Sequence, residues 1–202
     1  MTGERHYPDE PAGPFPEPPV TFEDGEGRQI EVRGYPPTHE VPEPLVEMYD
    51  EYDPADRAQG IPPSGEHHIR RWLETIFEDG YNAVTWHEDR AVGHATLVPD
   101  EGGKTNGHQG VEEPKDGEPA YELAIFVLQA YQRAGIGTHL LEGLLGYGAS
   151  QGVETVWLTV ERWNRPAVAL YERVGFEVVD SRSFELVMTL RLAPDHEAEV
   201  GH

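Results

Sequence analysis

Apolar and polar residues alternate between two periods along this chain, and the changes of period mark out its elements. Residues 28–35 alternate with a period of two, Ile30 and Val32 on one face, and Pro36-Pro37 stops the strand this predicts. Val41, Leu45, Met48, Tyr49 and Tyr52 then recur at helical spacing, which predicts a helix starting within residues 42–44, where proline is tolerated in a first turn. Ile69, Trp72, Leu73, Ile76 and Phe77 give a full i, i+3, i+4, i+7, i+8 face, with Gly80 as its stop. Residues 81–87 and 90–98 read as two strands of a hairpin turning at Glu88-Asp89.

The second half continues the alternation. Residues 121–128 form a short, nearly all apolar run suited to one buried strand. Leucines at 140, 141, 144 and 145 place one apolar stripe on a helix that ends at Gly152. Residues 155–160 predict a strand with Val156, Leu158 and Val160 on one face. Asn164-Arg165-Pro166 is a strong helix start, Ala167, Val168, Leu170, Tyr171 and Val174 make that helix's inner face, and Gly175 closes it. Residues 176–179 and 184–192 supply a last pair of strands.

Three stretches lack periodicity. Residues 1–19 carry prolines at 8, 11, 14, 16, 18 and 19, and the segment 1–27 is expected to be a disordered or loosely packed tail. Residues 99–119 hold five glycines and three prolines and are expected to be a mobile insertion. The acidic end, residues 193–202, is expected to fray. The folded domain is therefore placed at 28–192, an α/β (α+β) domain with a mostly antiparallel N-terminal half.

Composition narrows the class of protein. No apolar run reaches 18 residues and no apolar segment follows the charged N-terminus, so neither a membrane span nor a secretory signal is expected. The absence of cysteine excludes disulfides, thiolate metal sites and thiol nucleophiles. A cytoplasmic location is the expectation. The adjacent His67 and His68 point in different directions on a helix with no third ligand evident, so no metal is assigned. Against 38 acidic residues stand only 15 basic ones, two of them lysines, for a net charge of −23. Such a surface repels itself in dilute buffer but is screened at ~1 M salt, where the Debye length is ~3 Å, which predicts a salt-adapted protein. The same charge argues against nucleic acid and anionic membranes as partners. An acidic partner-binding surface is the alternative reading.

The chemistry is carried by Gln132-Arg133-Ala134-Gly135-Ile136-Gly137, between the apolar strand and the leucine-striped helix. A helix start offers unpaired N–H groups and the positive end of a dipole, glycines allow close approach, and Arg133 adds charge; phosphate is the natural guest. The dinucleotide fingerprint fits badly because Leu140 occupies the place of its third glycine, and the P-loop fits worse because no Gly-Lys-Ser/Thr follows.

The element order, this glycine turn and the later Asn164, Tyr171 and Gly175-Phe176 together resemble the GNAT superfamily of CoA-dependent N-acetyltransferases over residues 28–192. The family's phosphate-turn pattern, Gln/Arg-x-x-Gly-x-Gly/Ala, is matched by Gln132, Gly135 and Gly137. The resemblance implies a mixed, mostly antiparallel sheet with splayed central strands and about four flanking helices. It implies acetyl-CoA as co-substrate, its diphosphate on Gln132, Arg133, Ala134, Gly135, Ile136, Gly137 and Thr138, its pantetheine arm along Ile125, Phe126 and Val127 as an added strand, and Asn164 bonded to the cofactor. By the same resemblance Tyr171 would give a proton to the departing thiolate, and N–H groups near Val127 and Leu128 would stabilise the oxyanion. Glu122 is the candidate base, with Glu161 weaker; Thr159 stands where some relatives carry a glutamate. The acceptor, an amine-bearing small molecule or a protein amine, would enter between residues 49–64 and 180–184, where Asp50, Glu51, Asp53 and Asp56 lie. A homodimer is compatible with this reading. The expected activity is acetyl transfer to a primary amine by direct attack in a ternary complex. The alternative is a GNAT-like module that binds acyl-CoA without turnover.

Overall fold

A computed structural model describes residues 5–52, 62–100, 119–181 and 184–193. Its elements run β1 (Val20–Glu23), β2 (Gln29–Tyr35), α1 (Glu43–Asp50), α2 (Glu66–Asp79), β3 (Tyr81–His87), β4 (Arg90–Pro99), β5 (Tyr121–Val127), a single 3-10 turn (Gln129–Tyr131), α3 (Ile136–Ser150), β6 (Thr155–Glu161), α4 (Arg165–Val174), β7 (Glu177–Ser181) and β8 (Glu185–Arg191). The expected insertion at 99–119 and the acidic end lie almost wholly outside the described residues, as do Asp53 and Asp56.

Eight strands form one sheet in the order β1-β2-β3-β4-β5-β6-β8-β7. Every neighbouring pair is antiparallel except β5 and β6. A parallel pair needs a crossover, and α3 supplies it, its leucines 140, 141, 144 and 145 fully buried against the sheet. Leu140, Leu144, Leu123, Val156, Leu158 and Met188 belong to a core on the α3/α4 face. Leu45, Tyr49, Ile69, Leu73, Phe77, Val84 and Trp86 make a second core on the α1/α2 face. Each fully buried aliphatic side chain contributes roughly 1.5–3 kcal/mol by leaving water, so both faces hold the sheet. Among the described residues no helix is long and apolar enough to cross a membrane.

One expectation is corrected. Residues 5–27 are not a loose tail. Val20 and Phe22 turn inward from a four-residue edge strand that pairs with β2, Ala12 N–H donates to Arg191 O (2.8 Å), and Ala193 N–H donates to Ala12 O (3.0 Å). Arg5 pairs with Asp100 (2.6 Å) and lies over the Trp157 ring, 3.5 Å from its centroid. Prolines hid this packing from the sequence because the strap is held by scattered tertiary contacts, which have no period. Gly80 does end α2, in an extended conformation (φ −108°, ψ 156°), and is kept small by Ile76 O, which a Cβ would press.

Candidate active site

The central sheet divides between β5 and β6. Each is fully paired on its other side, β5 with β4 and β6 with β8 along all seven residues, yet the two meet only at Tyr121–Val156 and Glu122–Trp157. Two twisted half-sheets joined by two rungs diverge, and past Glu122 the β6-facing edge of β5 is unpaired. The phase of that edge is set by Leu128, whose N–H donates to Val92 O (3.0 Å) across the Gly93–Val127 pair. In an antiparallel ladder this turns the N–H and C=O of Val127, and of Ile125 two residues back, into the opening. Phe126 instead bonds toward β4 and directs its ring to the α1/α2 face, among Tyr49, Tyr52 and Trp72 at centroid distances of 5.6, 6.0 and 6.2 Å. Ile125 and Val127 thus offer the edge for an added strand, and Phe126 does not. The bond to Val92 also removes the Leu128 N–H as an oxyanion donor and leaves that of Val127.

The opening leads into the glycine turn. Arg133 (φ 64°) and Gly135 (φ 89°) are both left-handed with Ala134 between them, so the backbone alternates in hand, a shape that gathers successive N–H groups on one side. Among the described residues, the N–H groups of residues 133–137 have no backbone acceptor; the first bonded one is Thr138 N–H, which donates to Gly135 O (3.1 Å). Five consecutive free donors at a helix N-terminus can receive an anion, and Thr138 adds no free amide to them. A Cβ at Gly135 would meet nothing within 4 Å, and one at Gly137 only Leu170 Cδ2 at 3.6 Å. Packing within the protein therefore does not demand glycine at 137, whereas a ligand backed onto the turn would. Gln132 serves the protein itself, donating Nε2–H to Val127 O (3.0 Å).

Tyr171 lies on α4, 8% exposed, its ring edge-on to Phe176 at 5.7 Å. Burial raises its pKa well above the ordinary phenol value, so it stays a proton donor throughout the working range of pH. Asn164 caps α4, its Oδ1 accepting from Ala167 N–H (3.3 Å), and remains exposed. Beside it, Trp163 and Phe184, 61% and 68% exposed, pack ring against ring at 6.3 Å, with Arg162 N–H donating to Phe184 O (3.0 Å). Glu122 sits on the last closed rung, between Val98 and Trp157. By strand alternation it shares the α1/α2 face with Phe126, while Leu123 shares the opposite face with Tyr171. The structure gathers the turn, the open strand edge and Tyr171's helix around one split, and leaves Glu122 at its closed base.

Sequence reasoning missed a buried relay on the α1/α2 side. Asn82 Nδ2–H donates to Gly80 O (2.9 Å), so its Oδ1 accepts from His94 Nε2–H (3.0 Å), and His94 Nδ1 accepts from the Tyr49 hydroxyl (2.7 Å). Burial lowers the His94 pKa to about 3, which keeps the imidazole neutral. A histidine in the middle of an apolar strand was the available signal.

Comparison with known proteins bears on the family and the fold. Over 73 residues the chain is 37% identical to the [Ribosomal protein bS18]-alanine N-acetyltransferase of Escherichia coli (strain K12), a stretch covering 31% of this chain and 49% of that protein. The chain thus spans about half the length of that curated relative. The fold matches the GNAT domain of S. lividans PAT at a TM-score of 0.65 and 16% identity, covering 86% of this chain and 96% of that one. It also matches yncA of Salmonella typhimurium, solved with its cofactor acetyl-CoA, at a TM-score of 0.58 and 19% identity, over 83% and 98% of the two chains. The profile of the Acetyltransferase (GNAT) family matches residues 45–176, from within the first turn of α1 to just past the end of α4, and the chain belongs to that family.

Proposed function

We propose that this protein is an N-acetyltransferase that moves the acetyl group of acetyl-CoA to a primary amine by direct attack in a ternary complex. The observation that carries the proposal is the run of five unbonded N–H groups at residues 133–137, continuous with the open edge of β5. A diphosphate on the first and a pantetheine arm along Ile125 and Val127 would bring a thioester carbonyl to the split. Asn164 is free on its outer side to bond the same ligand while it caps α4.

Acetyl-CoA supplies an activated acyl carbon and a thiol leaving group. The amine nitrogen forms a bond to that carbon, the C–S bond breaks, and the sulfur keeps the electron pair. The Val127 N–H, aimed into the opening, stabilises the negative charge that develops on the carbonyl oxygen, a donor of a kind worth ~3 kcal/mol. Tyr171 gives the thiolate its proton. The amine must arrive neutral, and Glu122, on the face that α1 and α2 cover, is our candidate to take its proton directly or through water; a second proton leaves the nitrogen as the amide forms and, through solvent, restores the one that Tyr171 gave to sulfur.

The acceptor class we favour is an amine carried by a small molecule or a protein. Similarity to a protein that acetylates a ribosomal-protein alanine supports the second, over less than a third of this chain. A panel of amines and peptides assayed for CoA release in molar potassium chloride tests the proposal. Turnover that Glu122→Gln and Tyr171→Phe depress supports it; tight acetyl-CoA binding with no turnover on any amine would instead assign a binding module.

A further inference from the structure

The turn that carries the free amides is gripped from outside by a segment more than a hundred residues earlier. Residues 24–28 form the tip of the β1–β2 hairpin, closed by Asp24 N–H to Arg28 O and Gly27 N–H to Asp24 O, both 3.0 Å. Asp24, 6% exposed, organises the tip: its carboxylate accepts from Glu26 N–H and Arg28 N–H (2.9 Å each) and from Arg28 Nε–H (2.7 Å). The tip then reaches across. Gly25 N–H donates to Ala134 O (2.9 Å), Arg28 Nη1–H donates to Ala130 O (3.3 Å), and the Arg28 guanidinium lies 4.3 Å from the centroid of the Tyr131 ring. Tyr131 is held on its other side by His87, its hydroxyl 2.9 Å from Nδ1.

We propose that this hairpin tip is a positioning brace that holds the phosphate-binding turn in its anion-receiving shape, with Arg28 and Asp24 as its working residues. The inference rests on the reading of residues 133–137 as the diphosphate cradle. A peptide unit is planar and its C=O and N–H point in opposite directions. Tying the Ala134 carbonyl back to Gly25 therefore turns the Gly135 N–H outward, toward the side where the other free donors lie. The left-handed conformation of Arg133 costs a non-glycine residue energy, which contacts to its neighbours at 130, 131 and 134 offset. The brace touches no reacting atom, so its effect belongs to the affinity for the diphosphate half of the donor and not to chemistry at the thioester.

The test compares acetyl-CoA with S-acetylpantetheine, which has the same thioester and no diphosphate, in wild type and Arg28→Gln, with a fixed amine in molar potassium chloride. We expect KM for acetyl-CoA to rise about tenfold with kcat unchanged, the size of one lost charge-assisted hydrogen bond, and the kinetics with S-acetylpantetheine to be unaltered. Inhibition by inorganic pyrophosphate should weaken by a similar factor, and Arg28→Lys should recover part of the loss. Asp24→Asn is the second variant, and the thermal midpoint of each identifies loss of fold. Equal losses with both donors, or no loss with either, would overturn the brace. A wild-type enzyme that uses both donors equally well and ignores pyrophosphate would overturn the cradle instead.

Discussion

The side-chain amide of Gln132 donates to the carbonyl of Val127, 3.0 Å away, and ties the glycine turn back to the strand it leaves. The sequence motif suggests a residue that touches the ligand, whereas the bond fixes the peptide next to the proposed oxyanion donor. Gln132→Ala should lower kcat/KM for acetyl-CoA by about three- to tenfold, the net worth of one hydrogen bond. Because the residue is exposed, the thermal midpoint should move little. Steady-state kinetics and a thermal melt on one preparation check both halves.

Among the described residues the Tyr171 hydroxyl has no hydrogen-bond partner. The ring packs against Phe176, and that packing survives Tyr171→Phe. The variant should fold with unchanged stability while kcat falls by roughly 10²–10⁴, the range of a lost general acid. Burial raises this hydroxyl above the ordinary phenol range, so no alkaline loss of wild-type rate is expected as pH approaches ~10. A kcat–pH profile for both forms decides, and a variant with full turnover would remove Tyr171 from the mechanism.

His94 makes stability depend on acid. Its imidazole is buried neutral between Tyr49 and Asn82, with its pKa lowered to about 3 by burial, whereas the unfolded chain binds the proton near ~6.5. The depressed native value means that its contribution is fully present above ~6.5. It is lost as pH falls toward 3, at up to ~1.4 kcal/mol per pH unit, because the unfolded state binds the proton first. His94→Gln should lower stability at neutral pH and flatten the acid dependence by about one proton. Denaturant melts from pH 7 to pH 4 measure that slope.

What the sequence disclosed follows from the range of the forces involved. The α2 face of Ile69, Leu73, Ile76 and Phe77 and the β3–β4 hairpin were legible because local period decides them. So was the glycine turn, whose left-handed residues lie within one short motif. The split between β5 and β6 was expected only from family resemblance, since it depends on β6 giving its whole length to β8. The strap around Ala12, the Asp24–Arg28 brace and the Tyr49–His94–Asn82 relay join residues distant in sequence, and no periodicity reports such contacts. Leu128 and Thr138 failed as amide donors for a related reason: which N–H is free depends on the ladder or helix turn that claims its neighbours.

Gly135 and Gly137 should respond to alanine in opposite senses, and that contrast separates a fold constraint from a ligand constraint. Gly135 is left-handed at φ 89°, so Gly135→Ala should destabilise the fold by ~1–2 kcal/mol. Gly137 lies in the first turn of α3 with right-handed backbone and no close neighbour, where alanine is the better helix former. Gly137→Ala should therefore raise the stability of the ligand-free protein by up to ~1 kcal/mol. If a diphosphate sits against that turn, the added methyl intrudes on it, and the same variant should bind acetyl-CoA at least tenfold more weakly. Thermal melts without ligand and calorimetric titration with acetyl-CoA give the two numbers. A more stable Gly137→Ala protein that binds the donor as well as wild type would mean that no ligand approaches this face, and the diphosphate assignment would fall with it.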